Sequence, residues 1–309
     1  MATLLEVILP VFLVIGFGYV AVWKGLFSES GVDGLMVFTQ QFAIPCLLFR
    51  AMSTLDLGAN FSLKLMLVYY VPALSVFALG IVGARILFNR PWTDSVAIGF
   101  CCLFANMALL GLPISEKAFG PDSLSTNYAL LSIHTPICYG LGITLMEIVR
   151  AESGSAVAVA GSVLKAMFRN ALILGIAAGM AVNLSGVALP TFFIDGVDLM
   201  VSAALPAALF GLGGVLYQYR PEGDMLTILF VIALVLLLRP LLILMAGTVA
   251  SLDPMVLRSA ILTGAMAPGV NIYVFANMYG VARRVAASAV LVATAMSILT
   301  LWAWLAVLS

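Results

Sequence analysis

Asn106-Met-Ala-Leu-Leu-Gly-Leu-Pro113 and Gly264-Ala-Met-Ala-Pro-Gly-Val-Asn-Ile-Tyr273 are the two stretches on which the reading of this chain turns. Each lies within a long apolar run, and each carries Pro and Gly where an uninterrupted helix resists them. Pro removes a backbone donor and clashes with the preceding turn, at about 3 kcal/mol in a helix interior. Gly adds backbone freedom that the helix must give up. In hydrocarbon, amides and carbonyls released at such a break must pair within the protein or line a cavity. One interrupted span in each half of a chain is the pattern expected of a secondary carrier whose site lies at the breaks.

The rest of the composition points to a membrane. The chain of 309 residues is 63% hydrophobic and 9% charged, far from a soluble globular domain. A spanning helix takes roughly 20 apolar residues. Ten such segments are expected, at 5–23, 34–53, 65–87, 95–116, 127–148, 168–184, 195–217, 225–249, 256–278 and 285–307. The first is followed by nine more, so it reads as a span and not a cleaved leader. The four cysteines all fall within spans, in no metal spacing, and read as small apolar packers. Trp302 and Trp304 suit an interfacial belt.

Ten spans place both termini on one side. The loops on that side carry four Lys or Arg; the opposite loops carry nine, with Arg239 left inside span eight. Positive charge stays cytoplasmic, so both termini are expected outside. A polar interruption beginning at Arg150 divides the chain into a first five-span unit (1–150), a cytoplasmic linker (151–165) and a second five-span unit (166–309). The halves repeat weakly: Pro45 and Pro206, Phe49 and Phe210, and Gly18 and Gly179 share an offset of 161. With five spans per unit, the second is inserted upside down relative to the first. The expected fold is therefore an all-α polytopic membrane protein of two inverted five-helix repeats.

Several stretches, in order along nearly the whole chain, carry a family resemblance. They are Leu9-Pro-Val-Phe through Lys24-Gly-Leu-Phe-Ser, Ala43-Ile-Pro-Cys-Leu-Leu-Phe, the Asn106–Pro113 stretch, Arg169-Asn-Ala with Leu189-Pro, Ala204-Leu-Pro-Ala-Ala-Leu-Phe-Gly-Leu-Gly-Gly, Ala265-Met-Ala-Pro-Gly-Val-Asn, and Thr294-Ala-Met-Ser-Ile-Leu-Thr. Together they resemble the auxin efflux carrier family, which includes plant auxin exporters and bacterial malonate-transporter-like carriers, with an inverted-repeat fold like that of bile acid/sodium symporters. The long cytoplasmic loop of plant exporters is absent. The resemblance implies that spans four and nine break and cross. It also implies a scaffold of spans 1, 2, 6 and 7, a mobile transport unit of spans 3, 4, 5, 8, 9 and 10, an elevator-type mechanism and a homodimer.

The candidate substrate-binding residues gather at the breaks. Asn106 and Asn271 offer side-chain amides to a carboxylate, or bridge helices. Gly111, Pro113, Pro268 and Gly269 act through the backbone, because broken helix halves present positive amide ends on which an anion can rest. Gln40 and Gln41 could face a pocket from span two. His134, the single histidine, is a candidate for proton coupling or a neutral packed imidazole. Arg239 could attract an anion, cap freed carbonyls, or snorkel outward.

No metal site and no cofactor is expected, and the coupling ion, H+ or Na+, is open. The favoured function is a carrier moving a small organic anion, a malonate-like or auxin-like carboxylate, across the cytoplasmic (inner) membrane. A passive channel or a membrane sensor of the same fold is the alternative. An intramembrane enzyme would need a catalytic set that the spans lack, and nothing points to nucleic acid.

Overall fold

The computed structural model describes the chain except residues 1, 57, 59, 60, 151–160, 162, 163, 166, 167, 220–223 and 309. Most of the expected linker, and Arg220 among the loop charges, lie outside the described residues. The helices are α1 (Ala2–Trp23), α2 (Glu29–Thr54), α3 (Leu63–Leu87), α4 (Trp92–Leu103), α5 (Leu112–Phe119), α6 (Leu124–Arg150), α7 (Ala171–Ser185), α8 (Thr191–Gln218), α9 (Met225–Val249), α10 (Pro254–Gly264), α11 (Asn271–Tyr279) and α12 (Arg283–Leu308). Among the described residues there is no strand, only an isolated bridge between Ala105 and Pro268.

Six helices are long and apolar enough to cross a membrane unbroken: α2, α3, α6 with its preceding turn, α8, α9 and α12. Three shorter apolar stretches accompany them, at Ile8–Trp23, Trp92–Leu103 and Ala171–Ser185. The chain is thus a polytopic, all-helical membrane protein. The two quoted stretches interrupt helices where expected: α4 gives way to α5 across Asn106, and α10 to α11 across Pro268.

Prolines shape the long helices in a way that spacing alone does not reveal. Three π turns, Thr39–Ala43, Met107–Gly111 and Leu234–Leu238, each end two residues before a proline: Pro45, Pro113 and Pro240. A proline ring collides with the carbonyl four residues back, and one wider turn is a way to move that carbonyl aside. Pro72, Pro136 and Pro206 sit within helices without such a turn, so proline permits the π turn and does not dictate it. The wider turn in α9 leaves a carbonyl for a partner: Trp304 Nε1 donates to Leu236 O at 2.9 Å. Through that bond the half-buried Trp304 caps α9.

Tight packing joins α1 to α8 and α7 to the second part of α2. Both contacts are made by glycine. A methyl group on Gly18 would collide with the backbone of Phe210, and one on Gly213 with that of Ile15. Likewise Gly179 lies against Phe49 and Gly175 against Pro45. α8 also touches α2 along its length, so α1, α2, α7 and α8 make one closely packed group. A second group forms where α3 lies on α4, α4 on α6, α9 on α12 and α11 on α12.

Candidate substrate site

The two interrupted stretches meet. Asn106 N–H donates to Ala267 O at 2.9 Å, and Gly269 N–H donates to Phe104 O at 3.1 Å. These bonds flank the antiparallel pair Ala105 and Pro268, which therefore occupies the position whose own amides point away from the partner. Pro268 has no amide to lose there. Ala105 does, and its N–H donates to Nε2 of the fully buried His134 at 3.2 Å. Accepting at Nε2 puts the imidazole proton on Nδ1, where Cys138 Sγ lies 3.6 Å away. Phe104, Tyr70 and Tyr69 surround the ring. The arrangement uses a neutral histidine as a backbone cap.

Arg239 closes the other side of the breaks. Its side chain is fully buried. Nε donates to Gly264 O at 2.7 Å, Nη2 to Met266 O at 2.8 Å, and Nη1 to Cys102 O and Leu103 O at 3.3 and 3.4 Å. These carbonyls end α4 and α10, where helices carry partial negative charge and unsatisfied acceptors. Among the described residues the ion pairs are Arg50–Asp198 and Arg90–Asp224; Arg239 instead balances its charge against helix ends. The π turn before Pro240 lies immediately ahead of it in α9.

The opposite ends of the breaks face a cavity. Asn106 caps the π turn Met107–Gly111, its Oδ1 accepting from Leu109 N–H at 3.3 Å. Asn271 opens α11, and its Oδ1 accepts from the Tyr139 hydroxyl at 3.3 Å. Both asparagines line a chamber of about 30 Å³ with Gln40, Thr135, Leu131 and Val270. That is room for roughly one water molecule. Within it the buried Asn106 Nδ2 has no hydrogen-bond partner. A buried, unpaired amide donor costs about 1–3 kcal/mol unless something accepts from it.

Gln40, Leu172 and Asn271 also line a cavity of about 430 Å³. Its wall includes Gln41, Tyr139 and Asn170, and its rim carries the exposed Lys165 and Arg169. Asn170 is held by capping α7, its Oδ1 accepting from Leu172 N–H at 3.0 Å. The outer cavity thus joins two cationic side chains to a polar wall, and the inner chamber beside it holds one buried donor without a partner.

The structure brings together Asn106, Asn271 and both glutamines of α2, with Gln40 on both cavities and Gln41 on the outer one alone. Pro268 and Gly269 build the bridge behind the chamber. A methyl on Gly269 would press Phe104 at 3.3 Å and the Asn106 backbone at 3.5 Å. Gly111 ends the π turn and Pro113 follows it in α5; neither lines either cavity, and nor do His134 and Arg239. Tyr139, Thr135 and Asn170 are additions. So are Lys165 and Arg169, which sequence reasoning counted as loop charges without seeing that they ring a cavity.

Comparison with known proteins agrees with this architecture. The chain is 22% identical over 305 residues, covering 97% of its length and 94% of the relative's, to a protein of Rhizobium meliloti (strain 1021) named "Putative malonate transporter". The profile of a family described as "Membrane transport protein" matches residues 3–305. The chain therefore belongs to this family of auxin efflux carrier-like proteins, and is a membrane transporter and not an enzyme.

Proposed function

We propose that the chain is a carrier for a small organic anion bearing at least one carboxylate, with malonate-like acids the leading substrates. One observation carries this reading: Asn106, whose buried Nδ2 has no hydrogen-bond partner, lines a small chamber that shares Gln40, Leu172 and Asn271 with an outer cavity lined by Lys165 and Arg169. A carboxylate oxygen would complete that donor, a cation would not. The inner chamber is too small for a whole dicarboxylate. The substrate body would occupy the outer cavity and extend one oxygen toward Asn106, with Asn271, Gln40, Gln41 and Tyr139 beside it. The name of the Rhizobium relative supports the same class.

The same proposal extends to the wider layout expected from the sequence. α4 with α5, and α10 with α11, serve as broken fourth and ninth spans of ten, in two inverted five-span repeats. The glycine contacts support this, because Gly18 on Phe210 and Gly179 on Phe49 are one contact repeated at the offset of 161. The close group α1, α2, α7 and α8 would be the scaffold and the remaining helices a unit moving against it, in an elevator-type cycle. Both termini would lie outside the inner membrane, and the scaffold would pair in a homodimer. Pro113, Pro268, Gly111 and Gly269 hold the breaks open in this scheme, while His134 and Arg239 brace them.

The test is uptake of radiolabelled malonate and a panel of mono- and dicarboxylates into proteoliposomes, with wild type beside Asn106→Ala. Saturable carboxylate uptake that the variant loses supports the site. Uptake of a neutral or cationic solute, with carboxylates ignored, would end the anion reading.

A further inference from the structure

One half of each interrupted stretch, α5 and α10, packs on the other and on α6. Polar side chains are buried where the three helices meet: Ser115 on α5, Asn127 on α6, and Ser259 and Thr263 on α10. None of them lines either cavity of the candidate substrate site. Two contacts hold the cluster together. Thr263 Oγ1 lies 3.1 Å from Asn127 Oδ1. Ser123, one turn before Asn127, brings its Oγ to 3.2 Å from Ser115 O while donating to Gly120 O at 2.7 Å. The Pro121–Ser123 turn also packs on α10, where Ser259 precedes Thr263 by one turn.

Three atoms of this cluster, Ser115 Oγ, Ser259 Oγ and Asn127 Nδ2, are buried without a hydrogen-bond partner. Helix hydroxyls in a span are ordinarily satisfied by a carbonyl one turn back. Ser132, Ser297 and Thr263 do this at 2.7 Å; Ser115 and Ser259 do not. Asn127 completes the pattern. The Thr263 hydroxyl has one proton and two acceptors in reach, Ser259 O at 2.7 Å and Asn127 Oδ1 at 3.1 Å. The proton belongs to the nearer. Turning the Asn127 amide over then lets Nδ2 donate to Thr263 Oγ1 and sets Oδ1 in the unpartnered position. Three neutral oxygens, one from each helix, are left with lone pairs to offer.

That donor set selects its ligand. Divalent cations are held through carboxylates, and no group of three or more His, Cys, Asp or Glu gathers among the described residues. Glu116, next to Ser115, is exposed. A monovalent cation is satisfied by neutral oxygens of the kind found at interrupted helices in carriers. Full burial between packed helices favours the smaller Na+ over K+.

We propose that Ser115 Oγ, Ser259 Oγ and Asn127 Oδ1 bind a sodium ion. The ion ties one half of each interrupted stretch to α6. α5 continues directly from the π turn that Asn106 caps, so a filled site steadies the chamber residue from behind. On the anion reading above, on which this last step rests, Na+ and substrate each bind more tightly when the other is present.

The test follows Tm of the purified full-length protein, without carboxylate, in choline chloride, NaCl or KCl at equal ionic strength. Na+ should raise Tm saturably by roughly 3–5 °C over choline, and K+ by less than half as much. Ser115→Ala and Ser259→Ala should keep the wild-type Tm in choline, because they remove hydroxyls that bond to nothing, and should lose the Na+ shift. Equal Tm in all three salts would mean that water alone fills the cluster, and would overturn the ion. An equal shift from K+, a full Na+ shift in both variants, or a lowered Tm of the variants in choline would overturn it too. This readout needs no carboxylate and is independent of the anion reading. Coupling is read separately by calorimetry: malonate affinity should rise about tenfold when Na+ replaces choline in wild type, and stay fixed in Ser259→Ala. Malonate binding of equal strength in both salts would overturn the coupling. Malonate binding in neither salt would overturn the anion reading and leave the ion site to be judged by Tm.

Discussion

Gly18 of α1 lies so close to Phe210 of α8 that even a methyl group would strike the Phe210 carbonyl. Two residues earlier on the same helix, Gly16 has nothing within 4 Å of where its Cβ would stand. The pair makes a controlled experiment. Gly18→Ala should destabilise the protein by roughly 1–3 kcal/mol, because backbone cannot move aside as a side chain can. Gly16→Ala should be neutral or stabilising by up to about 1 kcal/mol, from helix propensity alone. Gly179→Ala should behave like Gly18→Ala, since it meets Phe49 in the same way. Thermal denaturation of the three purified variants decides. Equal tolerance at positions 16 and 18 would contradict the close approach.

Arg239 is expected to be required for the fold. Its guanidinium satisfies four carbonyls of two different helix ends, and each carbonyl left unpaired costs about 1–3 kcal/mol. Arg239→Met, similar in bulk but without donors, should fail to yield monodisperse protein. Arg239→Lys keeps the charge but not the planar fork, and should fold with a clearly lowered Tm. If Arg239→Met folded normally and lost only transport, the arginine would be a substrate group and not a brace.

Those two cases show what the sequence could disclose. Gly18, Gly179 and the prolines at 45 and 206 were legible because glycine and proline act on backbone, and backbone consequences are local or repeat at a fixed offset. The breaks at Asn106 and Pro268 were legible for the same reason. The carbonyls that receive Arg239 were not, because acceptors released at residues 102, 103, 264 and 266 are brought around one side chain only by tertiary packing. Nor could spacing place Lys165 and Arg169 on a cavity rim, since only tertiary packing sets that segment beside α2, α6 and α11. Gly111 and Pro113 were read as site residues from their motif. They shape the π turn, and its cap residue, Asn106, is the one that reaches the chamber.

His134 offers an acceptor to Ala105 N–H and nothing that requires titration. His134→Gln should therefore be well tolerated, because an amide oxygen can accept from the same donor. His134→Leu should lose about 1–3 kcal/mol by stranding a buried amide. Transport measured from pH 5.5 to 8 in His134→Gln should keep the wild-type profile. A flattened profile in that variant would return His134 to the coupling machinery.

Asn106 performs two tasks with two ends of one side chain, and they can be separated. Oδ1 caps the Met107–Gly111 turn by accepting from Leu109, while Nδ2 faces the chamber unpartnered. Asn106→Asp keeps an oxygen for the cap, a position where Asp serves as well as Asn. It removes the donor and sets a negative charge where the substrate oxygen would come. Asn106→Leu removes both functions. The expectation is that Asn106→Asp retains near-wild-type Tm in the absence of substrate, yet loses carboxylate binding by about tenfold to a hundredfold or more, the worth of a hydrogen bond to a charged group. Asn106→Leu should lose binding and Tm together. Calorimetry with malonate and thermal denaturation on both variants give the two readouts. If Asn106→Asp bound carboxylates as tightly as wild type, Nδ2 would not be the substrate's partner, and the anion site would have to be sought among Asn271, Gln40 and the cationic rim.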